Sequence, residues 1–411
     1  MNPFPMVLAD LRAMRVGALM TIILIGLAVM IGIGVGAQER ALRQSSARTA
    51  GDFPLLIGAP GSQTQLVLTT IYLQAEALPL IDGAILRKLT QDTRVAAIAP
   101  LAYGDIVKGY PIVGTTLDFV TRWGRLAPIE GRLFERENEA VVGAMVDLHI
   151  GDIVAPSHGV VSSGRRAGIA GDEEAGHRHQ EAKLSVVGRL PRLDSPWDRA
   201  ILVPVESVWE VHGLGNGHEG RADHLGPPFD MTSLPGAPAL VVKPKTIADA
   251  YQLRAEFRQG GTMALFPAEV LTSLYASLGD IRDLLVIASA MNNVVVLLAI
   301  LLLLVTLTSL RRKRYAVLRA LGATRIYVAV VVWLGATILT TAGCLLGVGL
   351  GWLAAQVLSH VIEAQTGLVL HPALGPQEAM LAFAMGAIAA VFALVVAAAT
   401  MGNSGSNALR S

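Results

Sequence analysis

Four strongly apolar stretches of this chain run for twenty residues or more without a charged side chain, and they decide what it can fold into before any motif is considered. Val16 to Val35 is such a run, preceded by Arg12 and Arg15. At ~1.5 Å rise per residue, a helix of that length covers the ~30 Å hydrocarbon core of a bilayer. It outruns the ~7–15 apolar residues of a signal-peptide core, so it reads as a retained span and not a cleaved leader. Leu284 to Leu310 is uncharged and ends abruptly at Arg311-Arg312-Lys313-Arg314. Ile326 to His360 carries no charge before its terminal histidine, and Ala379 to Met401 supplies the fourth run.

Orientation follows from the short loops, because Lys and Arg are retained on the cytoplasmic side during insertion. Residues 311–325 hold six basic side chains and no acidic one, whereas 361–378 hold Glu363 and Glu378 and neither Lys nor Arg. The first loop is therefore expected inside and the second outside. The expected order is a cytoplasmic N-terminus 1–15, helix 1 at 16–37, and an extracytoplasmic, periplasmic α+β domain at 38–283 with His-rich inserts near 157–183 and 212–226. Helix 2 at 284–310, a cytoplasmic helix at 311–325, helix 3 at 326–358, an outer loop at 359–378, helix 4 at 379–401 and a cytoplasmic tail at 402–411 follow. The fold class is an α-helical membrane protein with four transmembrane helices and a large outer domain between the first two. The expected location is the inner (plasma) membrane, with both termini cytoplasmic.

Composition narrows the function. Hydrophobic residues make up 53% and charged residues 16%, which argues against an ordinary soluble enzyme. A formal net charge of +1 leaves no field to hold nucleic acid. The single cysteine, Cys344, excludes an intramolecular disulfide and a cysteine-based metal site. No Asp, Glu, Lys or Arg lies within a span, so nothing there is equipped to pass an ionic cargo. Gly343, Gly347 and Gly351, spaced by four, form one helix face on which another backbone can approach closely.

In the outer domain, Arg40–Ala50 reads as a polar continuation of the first helix and Phe53–Ile57 as a strand. Further strands are expected at Val95–Pro100, Asp105–Val107, Ile112–Val113, Ala140–Val142, Ile153–Val154, Leu184–Val187, Ala200–Val203, Ala239–Val242 and Met263–Phe266. Helices are expected at Asp82–Gln91 and Thr246–Gln259, with Asp82 and Thr246 as N-caps. A helical pattern from Pro267 through Leu271, Leu274, Leu278 and Ile281 runs into the second span as a stalk. The insert from Ser157 to Lys183 is expected not to pack.

No G-x-x-x-x-G-K-[ST], G-x-S-x-G, H-E-x-x-H or C-x-x-C occurs, so no catalytic site and no cofactor is expected in the chain itself. The 311–325 loop is the most informative stretch. Tyr315, Leu318 and Leu321, with Ala316 and Val317 alongside, form an apolar stripe, the arginines face elsewhere and Gly322 ends the helix, a pattern suited to docking on a cytoplasmic protein and not only to anchoring on anionic lipid. His158, His177, His179, His212, His218 and His224 lie near carboxylates in Gly-rich stretches of the outer domain. Imidazole with carboxylate suits Zn²⁺, whereas loose histidine loops are commonly only solvated.

The order of span, outer domain and three spans resembles the FtsX-like/MacB-type ABC transporter permeases. Leu318-Arg319-Ala320-Leu321-Gly322-Ala323-Thr324-Arg325 matches the end of that family's R-R-x-x-E-x-x-x-x-R-A-L-G-A-T-R segment, with Tyr315 where an acidic residue is usual. Gly131-Arg132-Leu133-Phe134, Ala140-Val141-Val142-Gly143 and Ile150-Gly151-Asp152 are similar to its E-G-R-x-F, V-V-G and G-D stretches. The resemblance implies a non-catalytic homodimeric subunit paired with cytoplasmic ABC ATPase chains that bind ATP and Mg²⁺. It also implies a periplasmic adaptor or substrate protein as a further partner. In that family the loop after the second span acts as a coupling helix, a role that would fall to Arg311, Arg312, Arg314, Leu318, Arg319, Leu321 and Gly322. The implied mechanism is mechanotransmission, in which ATP-driven closure reshapes the outer domains for export or release of a periplasmic or membrane-derived substrate. An FtsX-like regulator of a periplasmic enzyme and a metal-responsive membrane sensor are the alternatives.

Overall fold

The computed structural model describes residues 2–74, 76–158, 183–219, 224–229, 234–277 and 317–402, with isolated positions between 287 and 306. The chain divides into two units. One comprises Met1–Leu42, Gly279–Ser359 and His371–Ser411, the other Arg43–Leu278 and His360–Leu370.

The described helices are α1 (Phe4–Ala13), α2 (Arg15–Ala50), α3 (Gln63–Tyr72), α4 (Gly83–Thr90), α5 (Leu117–Val120), α6 (Val205–Val211), α7 (Ile247–Phe257), α8 (Pro267–Ser277), α9 (Arg325–Thr366) and α10 (Pro376–Gly402). Among the described residues, α2 and α9 are long and apolar enough to cross a membrane. The expected fourth span coincides with α10, and the expected second span lies almost wholly outside the described residues. Within the first unit, Ile25, Ala28, Val29 and Ile33 of α2 pack with Ala336 and Cys344 of α9 and Ala393 of α10. Arg40 of α2 is paired with Glu378 of α10, whose other carboxylate oxygen accepts from the Gly375 N–H at 2.9 Å.

The second unit is built on one mixed sheet. Its strands are β1 (Leu55–Gly58), β2 (Val95–Val107), β3 (Tyr110–Thr115), β4 (Glu130–Gly131), β5 (Glu139–Val142), β6 (Ile153–Val154), β7 (Ser157–His158), β8 (Leu184–Arg189), β9 (Ile201–Pro204), β10 (Ala239–Pro244) and β11 (Met263–Leu265). They lie in the order β11-β1-β10-β2-β3-β9-β5-β8-β4, with β6 beside β8 and β7 beside β2. The β3–β9 and β5–β8 pairs are parallel and the others antiparallel.

Both faces of this sheet are covered, which is why its central strands read as unbroken apolar runs and not as alternating ones. Leu55 and Ile57 of β1, Ile201 and Val203 of β9 and Leu240 and Val242 of β10 face Leu86 and Leu89 of α4, Val208 and Trp209 of α6 and Leu253 and Phe257 of α7. Leu56, Leu202 and Val241 face the other way, toward Leu66 and Ile71 of α3, Phe119 of α5 and Val270 of α8.

Several expectations change. The strands expected at Val95–Pro100 and Asp105–Val107 are one strand, because β10 and β3 pair with successive halves of it. Helix α3 carries no expected element in the sequence reading, yet it forms, with the Ser62 hydroxyl accepting from the Gln65 N–H at 3.2 Å. Ser157 and His158, placed in a non-packing insert, pair with Ile106 and Asp105, and the rest of that insert up to residue 182 lies outside the described residues. The outer loop expected from 359 begins instead as helix, since α9 continues to Thr366. The stalk pattern is helical to Ser277, and its continuation lies outside the described residues.

Gly131 and Gly143 are spacers. A Cβ on Gly131 would sit 2.1 Å from the Val187 carbonyl oxygen, and one on Gly143 would sit 2.5 Å from that of Asp198. Arg132 is held by the Glu139 carboxylate, and Asp152 accepts from the His149 N–H at 2.8 Å.

Candidate functional site: a turn, two helix roots and a buried carboxylate

The turn before α9 is built by its glycine. Gly322 has φ +96°, and its N–H donates to the Arg319 carbonyl while the Ala323 N–H donates to that of Leu318, both at 3.0 Å. This pattern closes a helix with a left-handed residue, for which glycine has no Cβ penalty. The Thr324 hydroxyl then accepts from the Tyr327 N–H at 3.2 Å and starts α9. Val317 is 60% exposed and Leu321 80%, one helical turn apart, with Ile326 exposed beyond them, while Leu318 and Arg319 are half-buried. The exposed apolar pair is thus Leu321 of the expected stripe and Val317 alongside it. Arg311, Arg312 and Arg314 lie outside the described residues.

Along α9, Gly343, Gly347 and Gly351 meet α2 in register. A Cβ on each would lie 2.6 Å from Ile25 Cβ, 2.5 Å from Val29 Cβ and 2.8 Å from Ile33 Cβ, respectively. Contact this close leaves backbone against side-chain stem, the mode by which helices associate in lipid.

The C-terminal end of α2 is rooted in the core of the second unit. Ala50 and Phe53 are buried there. Between them, Asp52 accepts from Arg125 Nη2 at 2.6 Å, lies 3.2 Å from Arg122 Nε, and offers its carbonyl to Trp123 Nε1 at 3.2 Å. Arg122 is buried, its guanidinium 4.3 Å from the Phe119 ring centroid and 4.8 Å from that of Trp197. Burial pushes its pKa down to about 10, with Asp52 opposing the shift, so it stays charged at neutral pH. Arg122 and Trp123 both have positive φ, 47° and 62°, a conformation that non-glycine residues hold only under tertiary constraint.

The end of α9 is rooted in the same unit. Arg192 pairs with Glu363, Arg199 Nη1 donates to the Ala364 carbonyl at 2.6 Å, and Ser45 Oγ donates to the Val369 carbonyl at 3.0 Å. Gly367, at φ +72°, ends the helix with its N–H on the Glu363 carbonyl at 2.8 Å, and Leu368, Val369 and Leu370 are buried. None of these partners was legible in the sequence, because each pairs residues more than seventy positions apart or belongs to a stretch with no motif.

The histidines separate. His212 Nδ1 lies 2.7 Å from the Val208 carbonyl at the end of α6, and His158 belongs to β7. His177 and His179 lie outside the described residues. His218 and His224 do meet, with ring centroids 5.0 Å apart. His218, expected on a solvated polar loop, is buried against Phe229, and its Nε2 stands 3.5 Å from Glu206 Oε1, which also accepts from the Gly226 N–H at 2.6 Å. Burial pushes the Glu206 pKa up to about 7. Burial and the neighbouring Glu210 do the same for Glu137. Among the described residues no three His, Cys, Asp or Glu side chains are arranged to hold a metal ion.

Residues 286–405 match the family model for the FtsX-like permease C-terminal region. No curated protein matches the chain. Among solved structures, the periplasmic region of MacB from Actinobacillus actinomycetemcomitans aligns with 55% of this chain and 94% of its own, at 8% identity and a TM-score of 0.32. The extracellular domain of the noncanonic ABC-type transporter YknZ from Gram-positive bacteria aligns with 51% of this chain and 98% of its own, at 10% identity and a TM-score of 0.29. The family whose C-terminal model matches residues 286–405 is the one that the Leu318–Arg325 segment resembles.

Proposed function

We propose that this chain is the membrane subunit of an ABC transporter and works by mechanotransmission. It has four spans, both termini lie in the cytoplasm of an inner membrane, and the protein acts as a homodimer with two cytoplasmic ABC ATPase chains. ATP and Mg²⁺ are bound by those partners and not by this chain. The turn at 311–325 receives the push, with Val317 and Leu321 seated on the ATPase and the flanking arginines on its acidic rim. The outer domain delivers the motion to a periplasmic or membrane-derived substrate, or to an adaptor that carries it.

The observation that supports this reading is the course of α9. A single uninterrupted helix begins at the Gly322–Thr324 turn and ends in the residues held by Arg192 and Arg199. At about 1.5 Å per residue its 42 residues span about 63 Å, roughly twice the hydrocarbon core. Helix α2 likewise runs unbroken from Arg15 to Ala50, next to Asp52. Such helices carry displacement between their ends without opening a polar path between spans, in keeping with the uncharged runs.

The test is co-purification of the chain with its ATPase, followed by ATPase assay in nanodiscs. The double variant Val317→Asp/Leu321→Asp is expected to insert normally and to lose the stimulation that the wild-type chain gives. Unchanged stimulation, or a chain recovered alone under gentle extraction, would overturn the proposal.

A further inference from the structure

Three strands of the second unit end together, opposite the side where the chain arrives from α2 and departs into α8. Gly58 of β1 pairs with Ala239 of β10 and with Met263 of β11, whereas α2 leads into Leu55 and α8 follows Leu265. Beyond those ends, the Ile81 N–H donates to the Ala237 carbonyl at 2.8 Å, and this isolated bridge holds residues 77–80 across the margin of the sheet. Between that segment and the loop from β1 to α3 lies a cavity of about 200 Å³, lined by Pro60, Leu66, Leu78, Pro79, Pro238 and Met263 among others. Ala77 and Pro79 are exposed at its edge, and Leu80 beside them is 58% exposed.

Size decides what such a cavity holds. Sites that enclose a whole small molecule run to about 300–1,000 Å³, so this one suits a single large apolar side chain. Three of its lining residues are prolines, whose fixed φ lowers the cost of ordering the walls when that side chain enters.

Charge decides what flanks that side chain. In the four segments that build the cavity, 58–66, 74–82, 236–240 and 261–265, the charged residues are Glu76 and Asp82, with no Lys or Arg. Both are exposed, one on each side of the apolar run 77–81 in the chain. The Asp82 carboxylate is fixed in place by the Ala84 N–H, which donates to it at 2.9 Å.

We infer that this cavity is a docking site for a segment of a partner polypeptide, with one apolar side chain seated in it and Lys or Arg beside that anchor meeting Glu76 and Asp82. A preformed apolar pocket with a rim of one charge sign is how a protein surface captures an anchor residue and orients its neighbours. The inference rests on the reading of this unit as the one that engages a partner outside the membrane, and it makes no use of the ATPase.

The test uses the full chain in nanodiscs and short fluorescein-labelled peptides carrying Leu, Phe or Trp between two lysines, read by fluorescence anisotropy. Saturable binding with a Kd below about 1 mM is expected for at least one anchor, and about tenfold weaker binding when Ala replaces the anchor or Glu replaces the lysines. Ala77→Trp, at the edge of the cavity, and Glu76→Lys are each expected to weaken the same binding at least about tenfold. Glu135→Lys, an exposed position next to β4 at the other end of the strand order, should leave it unchanged. No saturable binding by any of the three peptides, or binding that Ala77→Trp and Glu76→Lys leave intact, would overturn the inference. Equal affinity for lysine- and glutamate-flanked peptides would overturn it by removing the role of the rim. Displacement of the peptide by a soluble short-chain phospholipid would overturn it by assigning the cavity to an acyl chain. The Val317→Asp/Leu321→Asp chain should bind the peptides as the wild type does, so loss of ATPase coupling and loss of docking are read separately.

Discussion

Gly347 of α9 lies against Val29 of α2 so closely that a Cβ placed on it would stand 2.5 Å from Val29 Cβ and 2.6 Å from the Gly26 carbonyl oxygen. No side chain fits in that space. Gly349, two residues on, has nothing within 4 Å of its imagined Cβ. Gly347→Leu is therefore expected to destabilise the helix pairing by about 1–3 kcal/mol, the usual cost of overpacking, with thermal unfolding in detergent as the measurement. Gly349→Ala should leave the midpoint unchanged, and equal effects at both positions would contradict the packing described.

The α2 root makes a second prediction. Arg122 is buried with Asp52 as its adjacent charge partner, so Asp52→Ala leaves a cation in the core with only the Phe119 and Trp197 rings and the Phe119 carbonyl against it. Breaking a wholly buried pair costs about 3–5 kcal/mol, and the partial exposure of Asp52 lowers the expectation to about 2–3 kcal/mol. Arg125, which is 60% exposed, contributes as a surface pair, and Arg125→Ala is expected to cost at most about 1 kcal/mol. Denaturant unfolding followed by tryptophan fluorescence separates the two, since Trp123 and Trp197 border the site.

Replacement of Arg192 and Arg199 by alanine should act locally. The Arg192–Glu363 pair is half-exposed and worth little globally, yet with the Arg199 bond to Ala364 it fixes the end of α9. Hydrogen exchange is expected to quicken in peptides covering 363–370 and to stay unchanged over β1 and β10. Uniform quickening would mean that the two arginines support the whole domain.

Glu206 predicts a pH dependence. Its folded pKa, about 7, is raised above the ordinary carboxylate value of 4.5 by burial. A group raised in this way contributes most below the unfolded value and loses that contribution as pH rises through the folded one. Stability of the second unit should fall between about pH 4.5 and 7, by no more than about 1.4 kcal/mol per pH unit from this group, and level off above. Glu206→Gln should flatten that part of the profile, and an unaltered slope would place its origin elsewhere.

The uncharged runs, the basic loop and the four-residue glycine spacing were legible along the chain, because each depends on residues close in sequence and on a solvent that the sequence itself selects. Most strands were legible too, since strands buried on both faces are continuous apolar words such as Leu55-Leu56-Ile57 and Ala239-Leu240-Val241-Val242. What only the tertiary structure decided are the pairings across distance: Asp52 with Arg122, Glu363 with Arg192, and Glu206 with His218. Sequence gives each of these groups a charge or a shape, but its burial, and hence its energetic weight, exists only once distant segments exclude water around it. That is why His218 read as a solvated loop residue and is a core one.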